Sequence, residues 1–209
     1  MTTVIIDLNY DRNYKSQDQD RTGTCDMRVS KEQAAENREG ILKAASRLMR
    51  ERGIAGVSVD ALTEAAGMTH GSLYSQFGSK ERLVEEAVAY AITTKEQDVP
   101  EAFAVRDFIS QYLSAAHRDA PGNGCALAAL ACEMSRQSQT VREPFTAGLQ
   151  RMISRLSNGF PSDKKQRKRR EDALVTIASL VGAVVLARAV NDPKLSDDIL
   201  RATRTKLSG

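Results

Sequence analysis

Apolar residues recur every three or four positions along most of this chain after about residue 29, and nowhere do they alternate in the period of a strand. Ile41, Ala45, Leu48 and Met49 form the buried stripe of a first helix, opened by a Ser30/Gln33 capping-box signature and closed by Gly53. Val59, Leu62, Ala65 and Ala66 give a second, short helix; Gly67 stands where a helix ends with positive φ, and Thr69 caps a third. A fourth starts at the Ser79 cap and carries Leu83, Val84, Ala87, Val88 and Ala91 to about Thr94, before Pro100. Beyond it, Val105, Phe108, Ile109, Tyr112, Leu113 and Ala116 define one helix stopping near Pro121-Gly122, and another spans about Cys125 to Arg136. Val141, Phe145, Leu149, Met152, Ile153 and Leu156 mark the next. A long helix from about Gln166 to Val190 and a short one from Ser196 to Lys206 end the chain. The fold class is all-α.

The second and third helices, joined at Gly67, read as helix, turn, helix. Leu73 and Phe77 are four apart and face inward, which leaves His70, Gly71, Ser72, Ser75 and Gln76 outward. An exposed polar helix start is what a DNA major groove accepts. Gly71 costs a first turn roughly 1 kcal/mol relative to Ala, an expense that close backbone approach to DNA would offset.

The run from Arg38 to Ala91, with GVSVDALTEAAGM followed by THGSLYSQFGSKERL, resembles the DNA-binding region of the TetR family of bacterial transcriptional regulators. Leu73, Tyr74, Phe77 and Lys80 match that family's most diagnostic string, and the likeness covers about a quarter of the chain. It implies an N-terminal three-helix helix-turn-helix domain and a C-terminal helical bundle for ligand binding and dimerisation. Tyr74 would offer its hydroxyl to a phosphate, and Lys80 a charge beside a helix N-terminus. Thr69, His70, Gly71, Ser72 and Gln76 would lie nearest the bases, where Gln pairs bidentately with adenine and Ser or Thr serves several bases. Ser58 and Ser75 complete the expected DNA-contacting set.

Composition adds little to this. The 209 residues are 41% hydrophobic with a net charge of +3, enough for a full core and two modest domains. Between residues 29 and 80, seven basic residues face six acidic ones, so charge alone does not mark a DNA binder. Cys25, Cys125 and Cys132 form no disulfide framework, and no secretory pattern opens the chain; a reducing cytoplasm is the expected setting. The longest apolar run, from Ala173 to Ala187, is shorter than the roughly 20 residues of a spanning helix, and Arg188 follows it. It reads as a buried or interface helix, with no membrane. The KKQRKRR run before it reads as a solvated loop and helix start.

Residues 1–29 are polar and Asp-rich without periodicity, and read as a disordered extension. Met27 opens the chain as many TetR-like regulators open, so residues 1–26 read as a mis-assigned start. A minor-groove arm is the alternative, and five Asp against three basic residues argue against it. The domains are then 30–80 for DNA binding and 81–209 for ligand binding and dimerisation.

Small residues on the long last helix, Gly182, Ala183 and Ala187, with Leu180 and Val185, suit the paired-helix homodimer interface that the resemblance implies. Phe103, Phe108, Tyr112, Met134, Phe145, Leu149 and Met152 are the bulky or pliable side chains available to line an effector cavity. No catalytic constellation, cofactor motif or paired metal-ligand motif stands out, which speaks against an enzyme. Taken together, the resemblance implies a repressor that binds a near-palindromic double-stranded DNA operator as a dimer and is released by a small-molecule effector. Two alternatives remain: a thiol-responsive regulator of the same fold using Cys125 or Cys132, or a DNA-binding protein with no effector.

Overall fold

The structure, a computed structural model, describes residues 31–97, 104–162 and 165–209, and no strand occurs among them. Ten α-helices follow in order: α1 Lys31–Arg52, α2 Val59–Ala66, α3 His70–Phe77, α4 Lys80–Gln97, α5 Val105–Tyr112, α6 Ala115–Asp119, α7 Ala126–Met134, α8 Gln139–Gly159, α9 Gln166–Ala189 and α10 Pro193–Ser208. A 3-10 turn, Pro121–Asn123, precedes α7. Ser30, Cys25 and the expected disordered extension lie outside the described residues, as does Phe103.

The N-terminal boundaries follow local chemistry. Gly53 takes φ +75° after α1 and Gly67 φ +65° after α2, conformations that cost a side-chain-bearing residue strain. Ser58 Oγ accepts the Ala61 N–H at 3.1 Å, Thr69 Oγ1 the Ser72 N–H at 3.3 Å, and Ser79 Oγ the Arg82 N–H at 3.1 Å, so α2, α3 and α4 each begin on a hydroxyl cap. Leu62, Leu73 and Phe77 point inward as the pattern requires, whereas Ala65 is exposed and Thr63 takes the buried place beside Leu62.

Two C-terminal boundaries differ from the sequence pattern. The apolar period from Val105 to Ala116 suggests one helix, yet the chain breaks at Leu113 and restarts as α6. The His117 ring takes the Tyr112 carbonyl at 2.7 Å through Nδ1, and Ser114 Oγ caps the new helix by accepting the His117 N–H at 3.2 Å. Likewise α10 starts earlier than its apolar period, because Asp192 accepts the N–H groups of Lys194 and Leu195 while Pro193 occupies the first helical turn, where no N–H is needed.

One apolar cluster runs without interruption from the helix-turn-helix into the C-terminal bundle. It contains Ile41 and Leu48 of α1, Leu73 and Phe77 of α3, Leu83 and Ala91 of α4, Leu130 of α7, Leu156 of α8 and Ile177 of α9. A second cluster joins Ile109 and Tyr112 of α5 to Leu180, Val184 and Ala187 of α9 and Leu200 of α10. α4 and α8 pack together at Gly148, where a Cβ would lie 2.2 Å from Ile92 Cγ2. α9 is long and apolar enough by length and composition to cross a bilayer, but it packs along α7, α8 and α10, and core helices of globular bundles share those properties.

Candidate nucleic-acid interface

α3 is held from behind by one arginine. Arg38 on α1 donates through Nη1 to the Gln76 carbonyl at 2.7 Å, ion-pairs through Nη2 with Glu86 on α4, and lies 4.2 Å over the Phe77 ring. The last turn of α3 is therefore tied to α1 and α4 together, and the opposite side of the helix stays open. On that open side are His70, Gly71, Tyr74 and Ser75, all exposed; Tyr74, at 48%, is among the large apolar-bodied side chains left most in solvent. A Cβ on Gly71 would meet nothing within 4 Å, so packing inside the subunit does not require a glycine there.

The expected contact residues do not all present free side chains. The hydroxyls of Ser58 and Thr69, both exposed, already cap helices. Ser75 Oγ donates to the Ser72 carbonyl at 2.9 Å, and Ser72 is half-buried. Gln76 is half-buried too, with its Nε2 a long 3.5 Å from Ser72 Oγ and its Oε1 buried without a partner. A bidentate amide contact to adenine therefore requires Gln76 to leave this rotamer. Lys80, exposed at the first position of α4, lines an open groove of about 360 Å³ with Ile54, Ala55, Glu81, Val84, Gln137, Ser138 and Val141. Asp60, which sequence reasoning passed over, sits on the first turn of α2 with Oδ1 2.9 Å from His70 Nε2. Ten residues of separation across a turn gave no periodic signal for that pair.

Polar contacts also tie the end of α1 to the bundle. The Glu133 carboxylate on α7 accepts the N–H groups of Ile54 at 3.0 Å and Ala55 at 3.2 Å, just after α1. Arg50 Nε donates to the Gly122 carbonyl at 2.8 Å, and burial holds its guanidinium below the usual arginine pKa.

The expected effector-lining residues are dispersed. Met134, Phe145, Leu149 and Met152 belong to the large core cluster, Tyr112 to the smaller one, and Phe108 bridges both. A cavity of about 20 Å³ is lined by Ala91, Ile92, Cys125, Ala126, Leu127, Gly148 and Met152, so Met152 alone of the expected set reaches it. Tyr112 is buried, and burial, followed by the charge of Cys125 and hydrogen bonding to it, pushes its pKa well above the usual tyrosine value. Cys125 is half-buried at the N-cap of α7, while Cys132 is exposed.

The expected dimer face needs correction. Leu180, Ala183 and Ala187 are buried inside the subunit, because they turn toward α5 and α10. Gly182 and Val185 are only half-buried on the other side of α9, where Leu174, Val175 and Leu186 are exposed at 42%, 63% and 57%.

Comparisons with known proteins agree with this architecture. Residues 41–87 match the family model of bacterial regulatory proteins of the tetR family, and residues 102–201 that of the C-terminal domain of LmrA/YxaF-like transcriptional regulators. The HTH-type transcriptional regulator TtgR of Pseudomonas putida is 39% identical over 59 residues, 28% of either chain. The HTH-type transcriptional repressor KstR2 of Mycolicibacterium smegmatis is 38% identical over 56 residues, 27% of either chain. The match thus spans just over a quarter of these relatives' length. Among solved structures, a TetR transcriptional regulator from Chloroflexus aurantiacus superposes with a TM-score of 0.68 at 22% identity, over 85% of this chain and 94% of that one. The reduced form of NemR from E. coli gives 0.66 at 21% identity, over 82% and 95%. With a helix-turn-helix match at one end, a regulator C-terminal domain at the other and the same fold throughout, the chain belongs to the TetR family of transcriptional regulators.

Proposed function

We propose that this protein is a ligand-responsive repressor that binds a near-palindromic operator as a homodimer in the cytoplasm, with residues 30–80 as the reader and 81–209 as the effector and dimerisation domain. The observation that carries it is the exposed, polar N-terminal face of α3, backed by the Arg38 clamp and left unfilled by any part of the chain described. Tyr74 and Lys80 position the head on phosphates, and His70, Gly71 and neighbouring exposed groups meet the bases. The exposed apolar stripe of Leu174, Val175 and Leu186 on α9 supports pairing of two subunits, which sets two α3 helices about 34 to 36 Å apart, one DNA turn.

The small cavity supports a specific release mechanism. A drug-sized ligand needs a few hundred Å³, whereas a space of 20 Å³ holds about one water. An effector entering there must part α4 from α8 at the Ile92–Gly148 contact, and α4 carries Lys80 and the Glu86 partner of Arg38. Coupling of about 1 to 3 kcal/mol between effector and operator alters affinity about 5- to 150-fold.

A second reading, a thiol-responsive regulator, is favoured by one observation: Cys125 stands at the N-cap position of α7 and lines that cavity. Alkylation at neutral pH that releases DNA would select it over reversible ligand binding.

The test is a mobility shift against the DNA flanking the protein's own gene. Wild-type protein is expected to retard one fragment at salt concentrations that abolish binding to unrelated DNA, and Tyr74→Phe and Lys80→Ala to weaken all bound sites alike. Retardation of every fragment with equal salt dependence would remove the operator from the reading.

A further inference from the structure

We infer that Glu133, on α7, is a positioning residue for operator reading: it fixes the angle of the helix-turn-helix against the bundle, which makes α7 a second arm on the reading head beside α4. The inference rests on the dimeric DNA-reading role proposed above. The Glu133 carboxylate reaches the loop after α1, where both of its oxygens accept the Ile54 N–H, at 3.1 and 3.0 Å, and the second also accepts the Ala55 N–H at 3.2 Å. Ile54 is 5% exposed, so its N–H has little water to turn to if the carboxylate withdraws. The loop is shaped around this acceptor. Gly53 takes φ +75°, and a Cβ there would lie 2.5 Å from Glu133 Oε1, so any side chain at that position must displace the carboxylate.

α7 itself gains nothing from the arrangement. Glu133 stands in the last turn of that helix, where the terminal carbonyls carry partial negative charge and an acid is unfavourable. Its effect lies in what it holds. From Ala55 the chain runs to the Ser58 cap of α2, and α3 follows across the Gly67 turn, so the carboxylate grips the backbone just ahead of the reading helices. The other end of α7 is fastened as well, because Arg50 Nε on α1 donates to the carbonyl of Gly122, shortly before α7. The end of α1 is thus held near both ends of α7. Ala126 and Leu127 in the first turn of α7 line the small cavity together with Ala91 and Ile92 of α4. Whatever opens that cavity therefore bears on the head through two helices.

The test must separate the angle of the head from its folding. Mobility shifts compare wild type, Glu133→Ala and Glu133→Gln on the full operator, on an isolated half-site, and on operators with one base pair added or removed between half-sites, a step of about 3.4 Å along the duplex. Wild type should lose affinity on both respaced operators. Glu133→Ala should bind the full operator about 10- to 100-fold more weakly, the range of a hydrogen bond to a charged group, and the half-site within about 2-fold of wild type. It should also lose less than wild type on respacing. Glu133→Gln keeps one accepting oxygen, so it should fall between the two, and it carries the comparison if the alanine variant does not fold. Gly53→Ala should reproduce the loss, and adding it to Glu133→Ala should not widen the spacing tolerance further, since both remove one contact. Equal losses on half-site and full operator, an unchanged spacing profile in both Glu133 variants, or a wild type indifferent to spacing overturn the inference alone. If no fragment is retarded, or wild type binds the full operator no tighter than the half-site, the dimeric reading falls and this inference with it.

Discussion

Arg38 shows how much of the reading head rests on a single side chain. Its planar guanidinium meets a carbonyl, a carboxylate and an aromatic face at once, contacts that a lysine's single ammonium cannot reproduce together. Arg38→Ala should cost about 1 to 3 kcal/mol in urea denaturation, and Arg38→Lys should recover less than half of it. Partners 38 and 48 residues away made this role invisible in the sequence, where Arg38 was one more charge on a helix face. For Gln76 the outward register was legible, but not the burial of its Oε1. Tyr112 carries a pH prediction. Its folded pKa lies above the unfolded value of about 10, so the folded state holds the phenolic proton more tightly. That contribution is fully present below pH 10 and lost as the unfolded chain ionises and pH climbs toward the folded value. Tyr112→Phe removes that ionisation, so the fall above pH 10 in thermal melts should become shallower.

Among the elements, α4 and α8 form the seam on which the proposed release would depend. Gly148 lets them approach so closely that a methyl group there must displace Ile92. Gly148→Ala should destabilise the fold by about 1 to 3 kcal/mol through overpacking. By prising α4 outward as an effector would, it should also weaken operator binding by more than the stability loss explains. A variant that loses stability but keeps full operator affinity would detach α4 from the release mechanism. Helix existence along the chain was legible because caps and apolar period agree, as at Ser58, Thr69 and Ser79. The α5–α6 break was not, since apolar residues continue in register through it and only the His117 ring and the Ser114 cap interrupt the backbone.

In the proposed dimeric reading two heads must be held at a fixed distance, and α9 carries the surface proposed to hold them. At 100° per residue, Leu180, Ala183 and Ala187 share one side of the helix, and they fill the subunit's own core. Val175, Gly182, Val185 and Leu186 share the other. Residue size alone had grouped both sides into one face, whereas the helical phase already separated them in the sequence. With Leu174, Val175 and Leu186 exposed on a helix otherwise packed into its own bundle, a second subunit is the natural cover for this stripe. Val175→Asp with Leu186→Asp should then leave the monomer fold intact, because neither side chain is buried within it, while sedimentation shifts from dimer to monomer. Operator affinity should fall steeply, since each head alone contacts one half-site, but affinity for an isolated half-site should stay as it was. If the charged variant sediments as wild type and binds the full operator equally well, the subunits meet elsewhere and the spacing argument must be rebuilt on another surface.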